Sequence, residues 1–213
     1  MTYEFIIYEK KDRIAYITLN RPERMNALHY PAQCELWDAL LDFKEDPEVW
    51  VAILTGKGEK AFCAGNDIKE SANPDYGAGQ NRPWGDWQRS SPTIPGPTGF
   101  LPTELWKPII AAVNGYALGG GMEMTLHADI VVASENASFG LPEITIGATP
   151  GSGGLFKAPR QLPQKIATYM ILTGERFSAE EMYRLGYVSR VVPSSELLST
   201  AEKIAERICQ SPP

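Results

Sequence analysis

The order of apolar and polar positions predicts alternating strands and helices. Phe5 to Tyr8 and Arg13 to Leu19 are rich in β-formers and flank the polar turn Lys10-Lys11-Asp12, which predicts an N-terminal hairpin. Asn20-Arg21-Pro22-Glu23-Arg24 breaks it. From Pro31 to Phe43, Leu36, Trp37, Leu40, Leu41 and Phe43 share one face at helical spacing, and Asp46-Pro47 ends that helix. Val49 to Leu54, Ile109 to Val113 and Ile130 to Val132 are short, nearly continuous apolar runs, the pattern of strands covered on both faces. Met122 to His127 reads as helix. Beyond Pro150-Gly151, helices are expected over Leu155–Gln161, Gln164–Leu172, Ala179–Arg184 and Glu196–Cys209, with a strand over Val188–Val192. Buried strands alternating with helices indicate an α/β domain with a helical C-terminal part. No internal sequence repeat is visible.

Residues 71 to 99 depart from this pattern. They hold Pro74, Pro83, Pro92, Pro95 and Pro97 with almost no aliphatic side chains, and read as a long loop. Trp84 and Trp87 inside it either fold the loop onto the body or line a substrate pocket.

Composition narrows the function. The chain has 213 residues, and its net charge of −6 gives no basic footprint for a nucleic acid. No apolar run approaches the roughly 20 residues of a membrane span, and Met1-Thr2-Tyr3-Glu4-Phe5 does not begin a secretory signal. Cys34, Cys63 and Cys209 are scattered, so a reducing cytoplasm is the expected compartment. With His29 and His127 as the only histidines, no zinc site is expected.

Two glycine-rich strand-to-helix junctions carry the candidate chemistry. The first is Ala61-Phe62-Cys63-Ala64-Gly65-Asn66-Asp67-Ile68-Lys69, and the second is Ala117-Leu118-Gly119-Gly120-Gly121-Met122-Glu123. Glycine lets backbone approach a ligand closely, and a helix start offers free N–H groups to an anion or oxyanion. The plainer alternative is that these glycines only permit tight turns and close packing. Neither junction has the spacing of a phosphate loop or a dinucleotide site. Glu123 and Glu143 (in Phe139-Gly140-Leu141-Pro142-Glu143-Ile144) could each be ordinary helix-start residues. Taken together, two carboxylates beside two oxyanion donors suit proton transfer next to a carbonyl. A nucleophilic triad fits poorly: Ser152 lacks the G-x-S-x-G elbow, His127 reads as a packed or helix-end histidine, and Cys63 as a small buried filler.

With these residues assembled, the chain resembles the crotonase superfamily, the enoyl-CoA hydratase/isomerase family, over nearly its whole length. The resemblance rests on Asn20-Arg21-Pro22 with Met25-Asn26-Ala27-Leu28, on the first junction, on the run from Lys107 to Glu123, and on Phe139 to Glu143 followed by Gly147 and Pro150-Gly151-Ser152-Gly153-Gly154. It implies a spiral of ββα units, with a core over residues 1–193 and the start of a C-terminal helical region over 194–213. The family continues with further helices, so the resemblance also implies a chain cut short at Pro213 and, with those helices present, a homotrimer or hexamer. The implied substrate is an acyl-CoA thioester, with coenzyme A as part of the substrate and no separate cofactor. Its carbonyl oxygen would lie between the N–H groups of Asn66 and Gly120. Ala64, Asn66, Asp67, Ile68 and Lys69 would line the site. Arg24, Ala27 and Leu28 would follow the pantetheine and nucleotide, with Arg24 and Lys69 as phosphate partners. In the hydratases of the family, glutamates at the positions of Glu123 and Glu143 hold a water between them. The implied function is therefore enoyl-CoA hydration and its reverse. Isomerisation or another acyl-CoA reaction of the family is the runner-up, and a catalytically inactive acyl-CoA-binding scaffold is the non-enzyme alternative. Asn66 and Met122 replace the smaller residues frequent in the family. A backbone donor at Asn66 tolerates the change, and the long loop rich in Trp and Pro points to a bulky or ring-containing acyl group.

Overall fold

The computed structural model describes residues 3–71 and 105–211. Residues 72–104, with Trp84 and Trp87, lie outside the described residues.

The chain opens with β1 (Ile6–Lys11) and β2 (Ile14–Leu19), an antiparallel pair. The turn between them is Asp12-Arg13, one residue later than the sequence suggested. Both have positive φ, 50° and 69°, as a tight two-residue hairpin with right-handed strand twist requires. Helix α1 (Tyr30–Glu45) follows and buries Ala32, Leu36, Ala39, Leu40 and Phe43 along one stripe. Trp37 and Leu41 sit at its half-buried edge.

A repeating unit then sets the architecture. In the first, β3 (Val51–Gly56) is followed by β4 (Ala61–Cys63) and α2 (Ile68–Ser71). In the second, β5 (Ile109–Val113) is followed by β6 (Tyr116–Leu118) and α3 (Gly120–His127). In the third, β7 (Ile130–Ser134) is followed by β8 (Ser138–Gly140) and a 3-10 turn, Pro142–Ile146. Then come α4 (Gly154–Gln161), α5 (Gln164–Thr173), β9 (Phe177–Ser178), α6 (Ala179–Arg184), β10 (Arg190–Val192) and α7 (Leu197–Ile208).

Each unit gives its first strand to a six-stranded sheet, ordered β1-β2-β3-β5-β7-β10, and its second to a four-stranded sheet, ordered β4-β6-β8-β9. Pairing is parallel throughout, except β1 with β2 and β8 with β9. This is the α/β spiral of ββα units that the resemblance implied. The repetition is spatial, because the residues that build corresponding elements differ.

The inner strands β3, β5 and β7 of the large sheet are buried on both faces, which explains their unbroken apolar runs. Along β5, Ile109, Ala111 and Val113 face the main core, whereas Ile110 and Ala112 face the other side. That second face also receives Ile14, Val51, Ile53 and Val132, and α7 covers it with Leu197, Ala201 and Ala205 at four-residue spacing. The four-stranded sheet sets the site, because the ends of β4 and β6 run directly into the two glycine junctions.

Candidate functional site

Glycine brings the two junctions together. Gly65 has φ +93°, and a Cβ on it would stand 2.9 Å from Leu118 O and 3.1 Å from Gly120 N. The first junction thus runs against the start of α3, and Asn66 follows directly. Leu28 brackets it: Leu28 N donates to Gly65 O and Asp67 N donates to Leu28 O, each at 2.8 Å. Successive amides of extended backbone point to opposite sides, so Asn66 N–H faces away from Leu28. Gly120 is the first residue of α3, and its N–H has no partner within the helix. Gly121 permits the approach from the other side, since a Cβ there would lie 2.0 Å from Cys63 O.

The two glutamates join this point from different elements. Glu143 comes from the 3-10 turn, and its Oε1 would be 3.2 Å from a Cβ on Gly119, beside Gly120. Its Oε2 is buried without a hydrogen-bond partner. Burial, reinforced by the charge of Glu123, pushes the Glu143 carboxyl up to about 7. Glu123 lies two residues past the glycine triplet, in the first turn of α3, and is 3% exposed. Its Oε1 accepts from Ser152 N at 2.6 Å and Gly154 N at 3.0 Å. Burial raises its pKa too, while those two donors favour the anion. The carboxylates therefore stand in unlike surroundings, Glu123 with two N–H donors and Glu143 with an unsatisfied oxygen. Such an asymmetry separates an acid from a base.

The other candidates divide by exposure. Ile68, Lys69 and Arg24 are exposed, and Ala64 is half-buried, its N–H donating to Met25 O at 3.0 Å. Leu28 is buried in the core and adjoins the site through backbone. Ala27 is buried, and its carbonyl accepts from Arg21 Nη1 at 2.6 Å. Asp67 is buried and ion-paired with Arg21 Nη2 at 3.2 Å.

Sequence reasoning missed two supports of the first junction. One is that ion pair. The other is Asn26, with φ 54°, whose Oδ1 accepts from Arg21 N and whose Nδ2 donates to Lys57 O and Ala61 O. A positive φ is most tolerable for asparagine among non-glycine residues, which was the available signal. Cys63 is buried as expected, and burial pushes its thiol up to about 12. We expect Cys63 to resist a maleimide at pH 8 in the native protein and to react once urea unfolds it. Native labelling within minutes, mapped to Cys63 by mass spectrometry, would contradict the inert reading. Among the described residues, no group of three or more His, Cys, Asp or Glu side chains is arranged to hold a metal ion. Nor is any helix among them long and apolar enough to cross a membrane.

Comparison with known proteins settles the family. The profile of the enoyl-CoA hydratase/isomerase family matches residues 9–213. The chain belongs to that family. The (E)-benzylidenesuccinyl-CoA hydratase of Thauera aromatica is 41% identical over 98% of this chain and 77% of its own length. The carnitinyl-CoA dehydratase of Salmonella heidelberg is 45% identical over 94% of this chain and 72% of its own. Among solved structures, a carnitinyl-CoA dehydratase from Mycobacterium avium superposes with a TM-score of 0.85 at 38% identity, over 98% of this chain and 78% of that one. Membership places the protein in an enzyme family whose members hydrate, dehydrate or isomerise acyl-CoA thioesters.

Proposed function

We propose that the protein is an enoyl-CoA hydratase, adding water reversibly to the double bond of a 2-enoyl-CoA thioester. The observation that carries this is the Glu143 carboxyl, with Oε1 beside Gly119 and Oε2 buried without a partner, and with Glu123 close enough to raise its pKa. In this reading Asn66 N–H and Gly120 N–H hold the thioester oxygen. Glu123 takes a proton from water as the water oxygen bonds to Cβ. The π electrons of the double bond move through Cα toward the carbonyl, and the enolate oxygen is stabilised by the two amides. As the enolate collapses, Glu143 delivers a proton to Cα, and exchange with solvent resets both carboxyls. Each amide donor is worth roughly 10²–10³ in rate.

The exposed cations Arg24 and Lys69 suit the phosphates of coenzyme A, and the first junction suits the pantetheine end. That gives an acidic protein a local route to a polyanionic substrate. The hydratase and dehydratase names of the relatives favour hydration over isomerisation, which needs one base. The reading includes a cytoplasmic location and an assembly of three or six copies. Exposed Leu155, Phe156, Tyr169 and Leu172 on α4 and α5 supply apolar surface for such an assembly.

The test follows enoyl-thioester absorbance over straight, branched and ring-bearing 2-enoyl-CoAs. We expect loss of absorbance with at least one substrate, and faster turnover of bulky or ring-bearing acyl groups. Migration of a 3-enoyl double bond without water addition would replace the reading with isomerisation. CoA-ester binding with no turnover would replace it with a scaffold.

A further inference from the structure

Helix α3 presents Glu123 and His127, four residues apart and so on one face, to the same short segment that enters α4. Glu123 receives the N–H groups of Ser152 and Gly154. His127 meets the peptide unit between those two donors, with Nε2 2.9 Å from Ser152 O. A carbonyl oxygen only accepts, so the hydrogen is on Nε2. Ser152 is 2% exposed, and its carbonyl has no easy recourse to water. Gly153 supplies the fit: its φ is +127°, and a Cβ there would stand 2.9 Å from His127 Nε2. At the far end of α4, Gln161 Nε2 donates to Leu126 O at 2.8 Å, so α4 is fastened to α3 at both ends.

We propose that His127 is the positioning residue for Glu123, fixing the Ser152 carbonyl and through it the two N–H groups that orient the carboxylate. This rests on the reading of Glu123 as the water-activating group. A ring that only fastened α4 to α3 would leave the chemistry of Glu123 untouched, and that is the alternative to exclude. Among the described residues, the charged groups facing this pair include Glu143 from the 3-10 turn, which interacts with Glu123, and Lys157 from α4, whose charge opposes protonation of His127.

His127→Met keeps volume and removes the donor, whereas His127→Gln keeps a donor nitrogen near the place of Nε2. Each is followed by kcat, KM and the carboxyl 13C titration of Glu123, identified by its absence in Glu123→Gln. We expect His127→Met to lower kcat about 10- to 100-fold with KM within about threefold, as for a displaced catalytic group. The Glu123 titration should move to higher pH, and His127→Gln should restore most of both. An unmoved titration in folded His127→Met would overturn the proposal, as would a glutamine variant no better than the methionine one. In the unaltered protein, a 15N spectrum showing His127 as the Nδ1–H tautomer would overturn it without any variant. If the titration moves and returns as described but no enoyl-CoA turns over, His127 positions Glu123 and the hydratase reading is what falls.

Discussion

Glu143→Gln is expected to abolish most turnover and to stabilise the fold at high pH at the same time. In the proposed mechanism the variant removes the group that delivers a proton to Cα, a loss of about 10²–10⁴ in kcat. The stability effect follows from burial first and the Glu123 charge second, which together lift the Glu143 carboxyl from 4.5 to about 7. A carboxyl raised on folding costs nothing below pH 4.5, where it is protonated in both states. The native state loses stability as pH rises from there through 7, where it comes to hold a buried anion. At roughly 1.4 kcal/mol per unit, the penalty approaches about 3 kcal/mol above pH 7. Urea unfolding at pH 8 should therefore find the glutamine variant more stable, and the two proteins should converge toward pH 4. Hydration needs protonated Glu143 beside ionised Glu123, so its kcat/KM should fall above about pH 7. Dehydration uses the same pair with the proton on Glu123, and because the overall reaction takes up no proton its kcat/KM should follow the same profile. A hydration profile flat through pH 7 would remove Glu143 from this role. A loss of activity with no pH-dependent gain in stability would mean that Oε2 is solvated.

Legibility from the sequence depended on how long each element is and how local its cause. The two-sided burial of β5 made Ile109–Val113 a continuous apolar run, and strand and prediction coincide. Helix α6 was equally clear over Ala179–Arg184, where Ser178 and Glu181 form a capping box. The strands β4, β6 and β8 have three residues each and β9 has two, too short for a periodicity to register. Yet these short strands aim the glycine junctions at one another. The glycines and glutamates could thus be named as parts, while their convergence came from family resemblance and then from the contact of Gly65 with Gly120 N and of Glu143 with Gly119. His127 was recognisable as a residue near a helix end, and it does close α3. Its partner, Ser152, is 25 positions away, and no spacing rule connects them.

A longer separation, 46 positions, divides Arg21 from Asp67, and there the consequence for stability is largest. Arg21→Met is expected to cost about 3–5 kcal/mol, as removal of one partner of a buried ion pair does. Both side chains are 8% exposed, so Asp67 would keep its charge away from water without the guanidinium. The Ala27 carbonyl would also lose a donor at 2.6 Å. Asp67→Asn in the Arg21→Met background should recover part of the loss, because it removes the charge left behind; urea denaturation of the single and double variants measures that coupling. Arg21 spans Ala27 and Asp67, the residues flanking the Leu28–Asn66 bridge. Its removal should therefore loosen Asn66 as well, lowering kcat more than it raises KM if that amide serves the transition state. A cost below about 1 kcal/mol would place the pair with exposed salt bridges. The first junction would then owe its shape to the Leu28 backbone bonds and Asn26, which donates to Ala61 O at 2.8 Å and holds the start of β4 directly.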